Sequence, residues 1–195
     1  MSLPTTVEAS RWDRLFEIAA GQEGLFTTKQ AAEAGYSPQL LTHHLGSGRA
    51  LRISRGIYRL VHFPAGEHEE LVAVWLWSDR AGVISHQTAL ALHELSDALP
   101  ARVHLTLPSA WSKRRFRVPA DVMLHHADVP PDDRSWFGAV PCTSARRTLN
   151  DCARDDLSPE LLRQAAQQAL RRGLVARADL HEVEATLEPF GGIAA

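Results

Sequence analysis

The chain has 195 residues, of which 45% are hydrophobic and 23% charged, a balance typical of a globular protein with one medium or two small domains. Its net charge of −2 excludes a polycation that binds nucleic acid through bulk attraction. Residues 1–66 carry seven Lys or Arg against five Asp or Glu, and the remainder carries fourteen against eighteen. Any nucleic-acid contact therefore has to come from a local patch.

The sequence shows no feature of export or membrane insertion. Its start lacks the charged region and apolar core of a signal peptide, and no run approaches the ~18 apolar residues that a membrane span requires. Cys142 and Cys152 are too few for a disulfide scaffold and form no CxxC motif. We expect a cytoplasmic protein with two structural, reduced thiols.

Short amphipathic segments open the chain. A stripe that includes Trp12, Leu15 and Phe16 predicts a helix over residues 8–20. Residues 25–26 predict a small strand, and Thr27 or Thr28 is the expected cap of a second helix over residues 29–34. None of these elements is long enough to be stable alone, so they have to share one core.

A third helix follows, and its outer face is polar. Ser37 is the predicted N-cap and Pro38 the first helical position. Apolar spacing turns Leu41, His44 and Leu45 inward. The side chains then left pointing outward are Gln39, Thr42, His43 and Ser47.

A tight hairpin comes next, with strands near residues 51–53 and 57–58 around a turn at residues 54–56. Four arginines lie along it, and no acidic residue occurs between Ala34 and Gly66. Helices followed by a hairpin are the order of a winged helix-turn-helix, in which the third helix enters the major groove and the hairpin contacts phosphate. The predicted DNA-binding residues are Ser37, Gln39, Thr42, His43, Ser47, Arg49, Arg52, Ser54, Arg55 and Arg59.

We therefore predict an α+β protein: a winged helix-turn-helix domain over residues 1–63 and a mixed α/β domain over residues 67–195. In the second part, helices are expected over residues 67–77, 86–95, 144–152, 159–172 and 178–187, and strands at residues 83–84, 103–107 and 122–124. The alternation at 103–107 predicts a half-buried strand. Residues 127–135 are expected to form a loop, and residues 189–195 a frayed tail.

The densest basic run is Lys113, Arg114, Arg115 and Arg117, with Phe116 expected to pack inward. It is a candidate second basic patch, with two interpretations open. One is an exposed charged loop. The other is contact with phosphate, with RNA or with a protein toxin.

Ten histidines raise the question of a metal site. Adjacent pairs such as His125 and His126 cannot readily bind one ion, and His86 and His93 lie two helical turns apart. No HExxH or GxSxG motif occurs, and Ser85 is best explained as a helix N-cap. We therefore expect no metal, no cofactor and no catalytic residue.

Two runs, GLFTTKQAAEAGYS at 24–37 and GRALRISRGIYRL at 48–60, resemble the N-terminal domain of the AbiEi antitoxin family of type IV toxin–antitoxin systems. SHQTALALHELSD at 85–97, VHLTLP at 103–108 and VPCTSARRTLNDCA at 140–153 resemble the region that follows it. One difference is that many relatives carry several arginines on the third helix, where this chain has Pro38, Thr42 and His43. The endonuclease domain that follows in some relatives is expected to be absent, because no Asp…Glu-x-Lys pattern occurs.

The resemblance implies an antitoxin that represses its own operon by binding inverted repeats, with a nucleotidyltransferase toxin encoded nearby. Direct contact with that toxin and the oligomeric state stay open, monomers that cooperate on DNA being one arrangement. Two other classes also stay open. One is an enzyme with a reduced nuclease-like or nucleotide-handling second domain, and the other is a module that binds protein through its winged helix.

Overall fold

The computed structural model describes residues 10–96, 100–115, 117–155 and 157–193. The chain divides into two compact units, Met1–Trp77 and Ser78–Ala195. The break between the units follows the fourth helix, whereas the sequence analysis placed it at residues 64–66. The assignment of two independent domains stays a prediction, and so does the inward packing of Phe116, which lies outside the described residues.

The first unit consists of three short helices, a three-stranded sheet and a fourth helix. Their bounds are α1 Arg11–Ala20, β1 Leu25–Thr27, α2 Thr28–Glu33, α3 Pro38–Gly46, β2 Ala50–Ser54, β3 Ile57–Leu60 and α4 Glu69–Trp77. The sheet is antiparallel in the order β1-β3-β2, so β2 forms an edge. This confirms the predicted winged helix-turn-helix, including the small strand at Leu25.

Side-chain caps fix where the helices of this unit begin. Ser10 and Asp13 form a reciprocal capping box that starts α1 at Arg11, three residues later than predicted. Thr27 and Gln30 form a second box at α2. Ser37 caps α3 by accepting a hydrogen bond from the Leu40 N–H at 3.2 Å, with Pro38 at the first position. The predicted start of α3 is therefore confirmed.

The core of the first unit lies between the helices and one face of the sheet. It includes Leu15 of α1, Phe26 of β1 and Leu41 of α3, with Leu45 and Tyr58 packed against it. Phe16 does not belong to it, because 45% of its surface is exposed. Its place in the apolar stripe was predicted wrongly, since Leu15 and Ala19 already fill the buried face of α1.

The described part of the second unit consists of a five-stranded mixed sheet and four α-helices. The elements are β4 Val83–Ile84, α5 His86–Leu92, β5 Val103–Leu107, β6 Val122–His126, β7 Arg134–Phe137, β8 Val140–Thr143, α6 Ala145–Arg154, α7 Pro159–Arg171 and α8 His181–Leu187. The strand order is β6-β5-β4-β8-β7. The pairs β5–β6 and β4–β8 are parallel, whereas β4–β5 and β7–β8 are antiparallel. Leucines and alanines of α5 to α8 form its helical core.

Three expectations for this unit are wrong. Residues 134–143 form the β7–β8 hairpin, where a loop was expected up to residue 135. All five residues of β5 are buried, because β5 lies between two strands in the sheet and α5 contacts it. The tail does not fray as far as it is described: Ile193 is buried, and Arg163 and Gln167 of α7 donate hydrogen bonds to the carbonyls of Gly192 and Ile193.

None of the described helices is both long and apolar enough to cross a membrane.

Candidate nucleic-acid interface

Helix α3 presents a polar face, as predicted. Leu41 is buried and His44 is half-buried, where its ring contacts those of Trp12 and Tyr36 at centroid distances of 6.2 and 5.3 Å. These contacts fix the rotation of the helix about its axis. The side chains that remain exposed are Ser37, Gln39, Thr42, His43 and Ser47. This surface carries hydrogen-bonding groups and no carboxylate, which suits a base edge in a groove.

The β2–β3 hairpin is held against α2 at its tip. Ser54 pairs with Ile57, so Arg55 and Gly56 form a two-residue turn in which Gly56 has a φ of 80°. The Thr28 N–H at the start of α2 donates to the Gly56 carbonyl at 3.0 Å. A bulge between Arg52 and Ser54 interrupts the ladder of β2. The hairpin is thus anchored at its turn.

The strand register sorts the arginines onto two faces of this sheet. Arg52 lies opposite Tyr58, and Leu51 lies opposite Arg59. Directly paired residues share a face and successive residues alternate, so Arg52 and Arg59 lie on opposite faces. Tyr58 stacks on Phe26 at 5.6 Å and packs on the core below the helices. Arg52 is therefore on the side of the sheet that carries α3.

Arg59 has an acidic partner that the sequence window did not show. Its guanidinium Nη1 lies 2.7 Å from Glu69 Oε2 of α4, and both side chains are about one-fifth exposed. By contrast, within the described residues Arg49, Arg52 and Arg55 are exposed and form no ion pair with a carboxylate. Three of the four predicted arginines are thus exposed and have no carboxylate partner in the part of the chain that the structure describes, while Arg52 Nε donates to the Ser54 carbonyl at 3.4 Å. The predicted DNA contact of each residue stays a prediction.

The second basic run follows a turn of 3₁₀ helix, Ser109–Trp111. Lys113, Arg114, Arg115 and Arg117 are all exposed. The Arg114 guanidinium lies over the Trp111 ring, 4.1 Å from its centroid. This contact restricts the motion of one of the four side chains.

A denser set of charges lies on α6. Arg147 Nε donates to both carboxylate oxygens of Asp151 at 2.8 and 2.9 Å, and its Nη1 donates to Asp133 at 3.2 Å. The side chains of Asp151 and Asp133 are 8% and 14% exposed. Burial raises the pKa of Asp151, and the neighbouring Arg147 opposes that rise. These charges satisfy one another, which indicates a structural role.

Three histidines that the sequence analysis set aside come together in the second unit. They are His86 at the start of α5, His104 on β5 and His125 on β6. One ring nitrogen from each lies within 4.8 Å of the others. His104 Nδ1 is 3.0 Å from His125 Nε2, and the rings of His86 and His125 stack with centroids 3.5 Å apart.

Hydroxyl groups of Ser85 and Thr106 form hydrogen bonds on one side of this cluster. Ser85 Oγ lies 2.9 Å from His86 Nδ1 and accepts a hydrogen bond from Thr106 Oγ1 at 2.7 Å. Ser85 stands at the N-cap position of α5, yet its side chain caps no backbone N–H, so the predicted capping role is wrong. Burial is the main cause that lowers the pKa of all three imidazoles, that of His86 to about 3.

The cluster is not visible in the sequence because its members lie on three elements, 18 and 21 positions apart. One signal was available. His104 and Thr106 alternate with apolar residues on β5, so both face the same way, and a buried strand with two polar residues on one face needs partners there. The two cysteines are buried as expected, and burial raises the pKa of Cys142 to about 12.

The helices and hairpin of the first unit define a winged helix-turn-helix with an exposed polar third helix. Residues 13–61, which span these elements, match the model of the family described as "Transcriptional regulator, AbiEi antitoxin". The resemblance inferred from the motifs at 24–37 and 48–60 is thereby confirmed. The match supports a role in transcription regulation, and such a regulator family favours a non-enzymatic protein.

The other comparisons add little. A search of curated proteins finds no match. The crystal structure of the RV2827C protein from Mycobacterium tuberculosis is similar with 15% identity and a TM-score of 0.44, and the alignment covers 95% of this chain and 79% of that one. A likeness at this level supports no functional argument.

Proposed function

We propose that this protein is a DNA-binding repressor and the antitoxin of a type IV toxin–antitoxin system. It binds inverted repeats upstream of its operon, with α3 in the major groove and the β2–β3 hairpin on the phosphate backbone. Each half-site takes one copy, and the copies are monomers that cooperate on DNA. The second unit counteracts a nucleotidyltransferase toxin encoded nearby.

The observation that carries this proposal is the exposed polar face of α3 together with unpaired arginines on the adjoining hairpin. Arg49, Arg52 and Arg55 form no ion pair with a carboxylate among the described residues. A guanidinium without a carboxylate partner can donate hydrogen bonds to phosphate, and each such contact releases counterions from the DNA. On α3, the Gln39 amide has the donor and acceptor needed to pair with an adenine edge. The family match over residues 13–61 supports the same role.

The test is fluorescence anisotropy with the full chain, titrated onto a duplex from upstream of its operon and onto a scrambled duplex of equal composition. The upstream duplex should bind more tightly. A double variant, Arg52→Ala with Arg55→Ala, should lower the slope of log K against log salt by about 2 units, because two phosphate contacts are lost. Gln39→Ala should cost about 1–3 kcal/mol at one base position and spare binding to the scrambled duplex.

Two arginine variants serve as controls. Arg171→Ala removes an exposed charge from the second unit and should leave the salt slope unchanged. Arg59→Ala removes the arginine that pairs with Glu69 and should lower the slope by less than the roughly 1 unit expected for each arginine of the double variant. Equal binding to both duplexes, or a wild-type slope in the double variant, would refute the proposed interface.

The antitoxin part has its own test. The neighbouring gene is expressed from an inducible promoter, alone and together with this chain. We expect growth arrest that the full chain relieves, and that the double variant Arg52→Ala with Arg55→Ala still relieves, because neutralisation is assigned to the second unit. Failure of the wild type to relieve toxicity would refute the antitoxin role and leave the DNA-binding result intact.

One observation favours a second candidate, a winged helix that binds protein. Leu51 and Ile53 of the edge strand β2 are 44% and 38% exposed, and an edge strand with apolar side chains is a surface onto which another strand can add. Strong salt dependence of DNA binding argues against this alternative. Salt-independent capture of a protein partner that Leu51→Ser abolishes would favour it.

A further inference from the structure

The His86–His104–His125 cluster is built differently from a chance contact of surface histidines. His86 and His104 are buried, and His125 is half-buried. The three come from a helix start and two parallel strands, in which Thr106 pairs with His125 and shares a strand face with His104. The fold therefore fixes all three Cα positions before any ligand arrives.

The backbone at His86 is held in an unusual conformation. Its φ is 49°, in the left-handed region, although it is the first residue of a helix and not a glycine. Such a conformation is strained for a residue with a side chain, and it persists only where the surrounding structure holds it in place. Here it accompanies the placement of the imidazole against the sheet, where the ring of His86 lies over that of His125.

The hydroxyls around the cluster have the arrangement of an outer ligand shell. Metal-binding histidines usually engage the second ring nitrogen with a hydrogen-bonding group, which fixes the ring and selects the nitrogen that binds the metal. Ser85 occupies His86 Nδ1, and Thr106 in turn holds Ser85, so Nε2 of His86 is the nitrogen left for a ligand. Thr88 accepts a hydrogen bond from the His104 backbone N–H at 2.9 Å.

We propose that His86, His104 and His125 bind one divalent transition-metal ion, with Zn²⁺ the best match, and that the fourth position is open to water. Imidazole suits zinc, and Zn–N bonds of about 2.0–2.1 Å place two tetrahedral ligand nitrogens about 3.3 Å apart. In the structure His104 Nδ1 and His125 Nε2 are 3.0 Å apart and within hydrogen-bond distance, so one nitrogen of each ring already meets at this point, and an ion would replace that contact. This departs from the sequence-based expectation of no metal.

Binding requires one ring to turn. A metal lies in the plane of each imidazole that binds it, whereas the rings of His86 and His125 are stacked at an interplanar angle of 14°. His125 is the member that moves, because it is half-buried while His86 is fixed by Ser85.

The charged groups near the cluster have both signs. Asp155 and Asp151 act on His125, whereas Arg147 acts on His86. Arg147 is itself paired with Asp151 and Asp133.

The experiment uses the full chain with any affinity tag removed, stripped with a chelator and titrated with ZnCl₂ by calorimetry at pH 7.5. We expect one ion per chain for the wild type. His104→Ala and His125→Asn should each weaken binding by more than the ~10- to 100-fold that loss of an outer-shell partner causes. Ser85→Ala should weaken it by about 10- to 100-fold. Co²⁺ in place of Zn²⁺ should give the visible absorption of a four-coordinate ion.

His126→Asn is the matched control, since it removes the adjacent, exposed histidine of the same strand and should leave affinity unchanged. Circular dichroism of each metal-free variant establishes that it folds. His125→Asn should disturb folding least, because His125 is half-buried whereas His104 is buried. The proposal is overturned if the wild type binds no stoichiometric Zn²⁺, or if His125→Asn binds as tightly as the wild type. DNA affinity is not a readout, so this result is independent of the proposed function.

Discussion

The arginines of the two units carry the same charge in opposite surroundings. On the hairpin, Arg52 and Arg55 are exposed and form no ion pair with a carboxylate within the described residues. On α6, Arg147 is half-buried and bonded to two carboxylates. An arginine that is bonded to carboxylates inside the fold cannot bind a ligand without breaking those bonds, whereas an exposed arginine without a carboxylate partner can. Whether an arginine forms an ion pair with a carboxylate cannot be read from the sequence, yet it distinguishes the structural arginine Arg147 from the arginines assigned to DNA binding.

The largest expected effect tests the structural half of this contrast. Arg147→Met leaves the buried Asp151 without its main partner and removes one of the two arginines that bond Asp133, which should cost about 3–5 kcal/mol in the free energy of unfolding measured with urea. Arg146→Met is the control, because that side chain is 49% exposed and, among the described residues, forms an ion pair with Asp133 alone, so its loss should cost at most about 1 kcal/mol. Equal losses in the two variants would contradict the distinction.

A second prediction concerns a buried neutral group of the second unit. His93 Nε2 lies 2.8 Å from the Thr143 carbonyl. The neutral tautomer with its proton on Nε2 can donate this hydrogen bond, so the ring does not need to be charged to make it. Burial lowers the pKa of His93, with Arg172 acting in the same direction and the Thr143 hydrogen bond opposing it. As the pH falls below about 6.5, this histidine is therefore protonated in the unfolded chain before it is protonated in the folded one, and the free energy of unfolding decreases.

The variant His93→Gln retains a donor for Thr143 and cannot titrate. Between pH 8 and pH 7 its difference in unfolding free energy from the wild type should be constant. Below about pH 6.5 the wild type should lose up to about 1.4 kcal/mol more per pH unit than the variant. Parallel pH profiles for the two proteins would show that His93 does not contribute to acid lability.

A third, smaller effect separates two roles of Ser37. Its hydroxyl caps α3, so Ser37→Ala should cost about 1 kcal/mol of stability. Ser37→Asp restores a cap acceptor and adds a negative charge beside the proposed groove. We expect thermal unfolding close to that of the wild type and weaker binding of the upstream duplex. Unchanged DNA affinity in Ser37→Asp would place the start of α3 away from the phosphates.

The smallest expected effect compares Arg59 with Arg55. Arg59→Ala breaks an ion pair that is about one-fifth exposed on each side, and it should cost at most about 1 kcal/mol in unfolding free energy. Arg55→Ala should cost nothing measurable in stability and should lower DNA affinity. The reverse pattern would exchange the structural and binding roles assigned to the two arginines.

Local signals made the first unit predictable. The Ser37-Pro38 start, the apolar spacing of Leu41 and Leu45, and the turn at Gly56 act within a few residues, and each was confirmed. Non-local facts were not available from the sequence. Glu69 of helix α4 pairs with Arg59 of strand β3, and the histidine cluster joins three elements. The missed β7–β8 hairpin did carry a local signal, since Gly138 and Ala139 form a two-residue turn between Phe137 and Val140.

The bulge in β2 has a consequence for how concentrated solutions of the protein behave. A regular edge strand that displays Leu51 and Ile53 offers an unbroken ladder of backbone donors and acceptors, which is a template for aggregation. The irregularity between Arg52 and Ser54 breaks that ladder after its third residue. The neighbouring arginine charges repel a like strand as well. Both features disfavour edge-to-edge pairing of the β2–β3 hairpin between identical molecules.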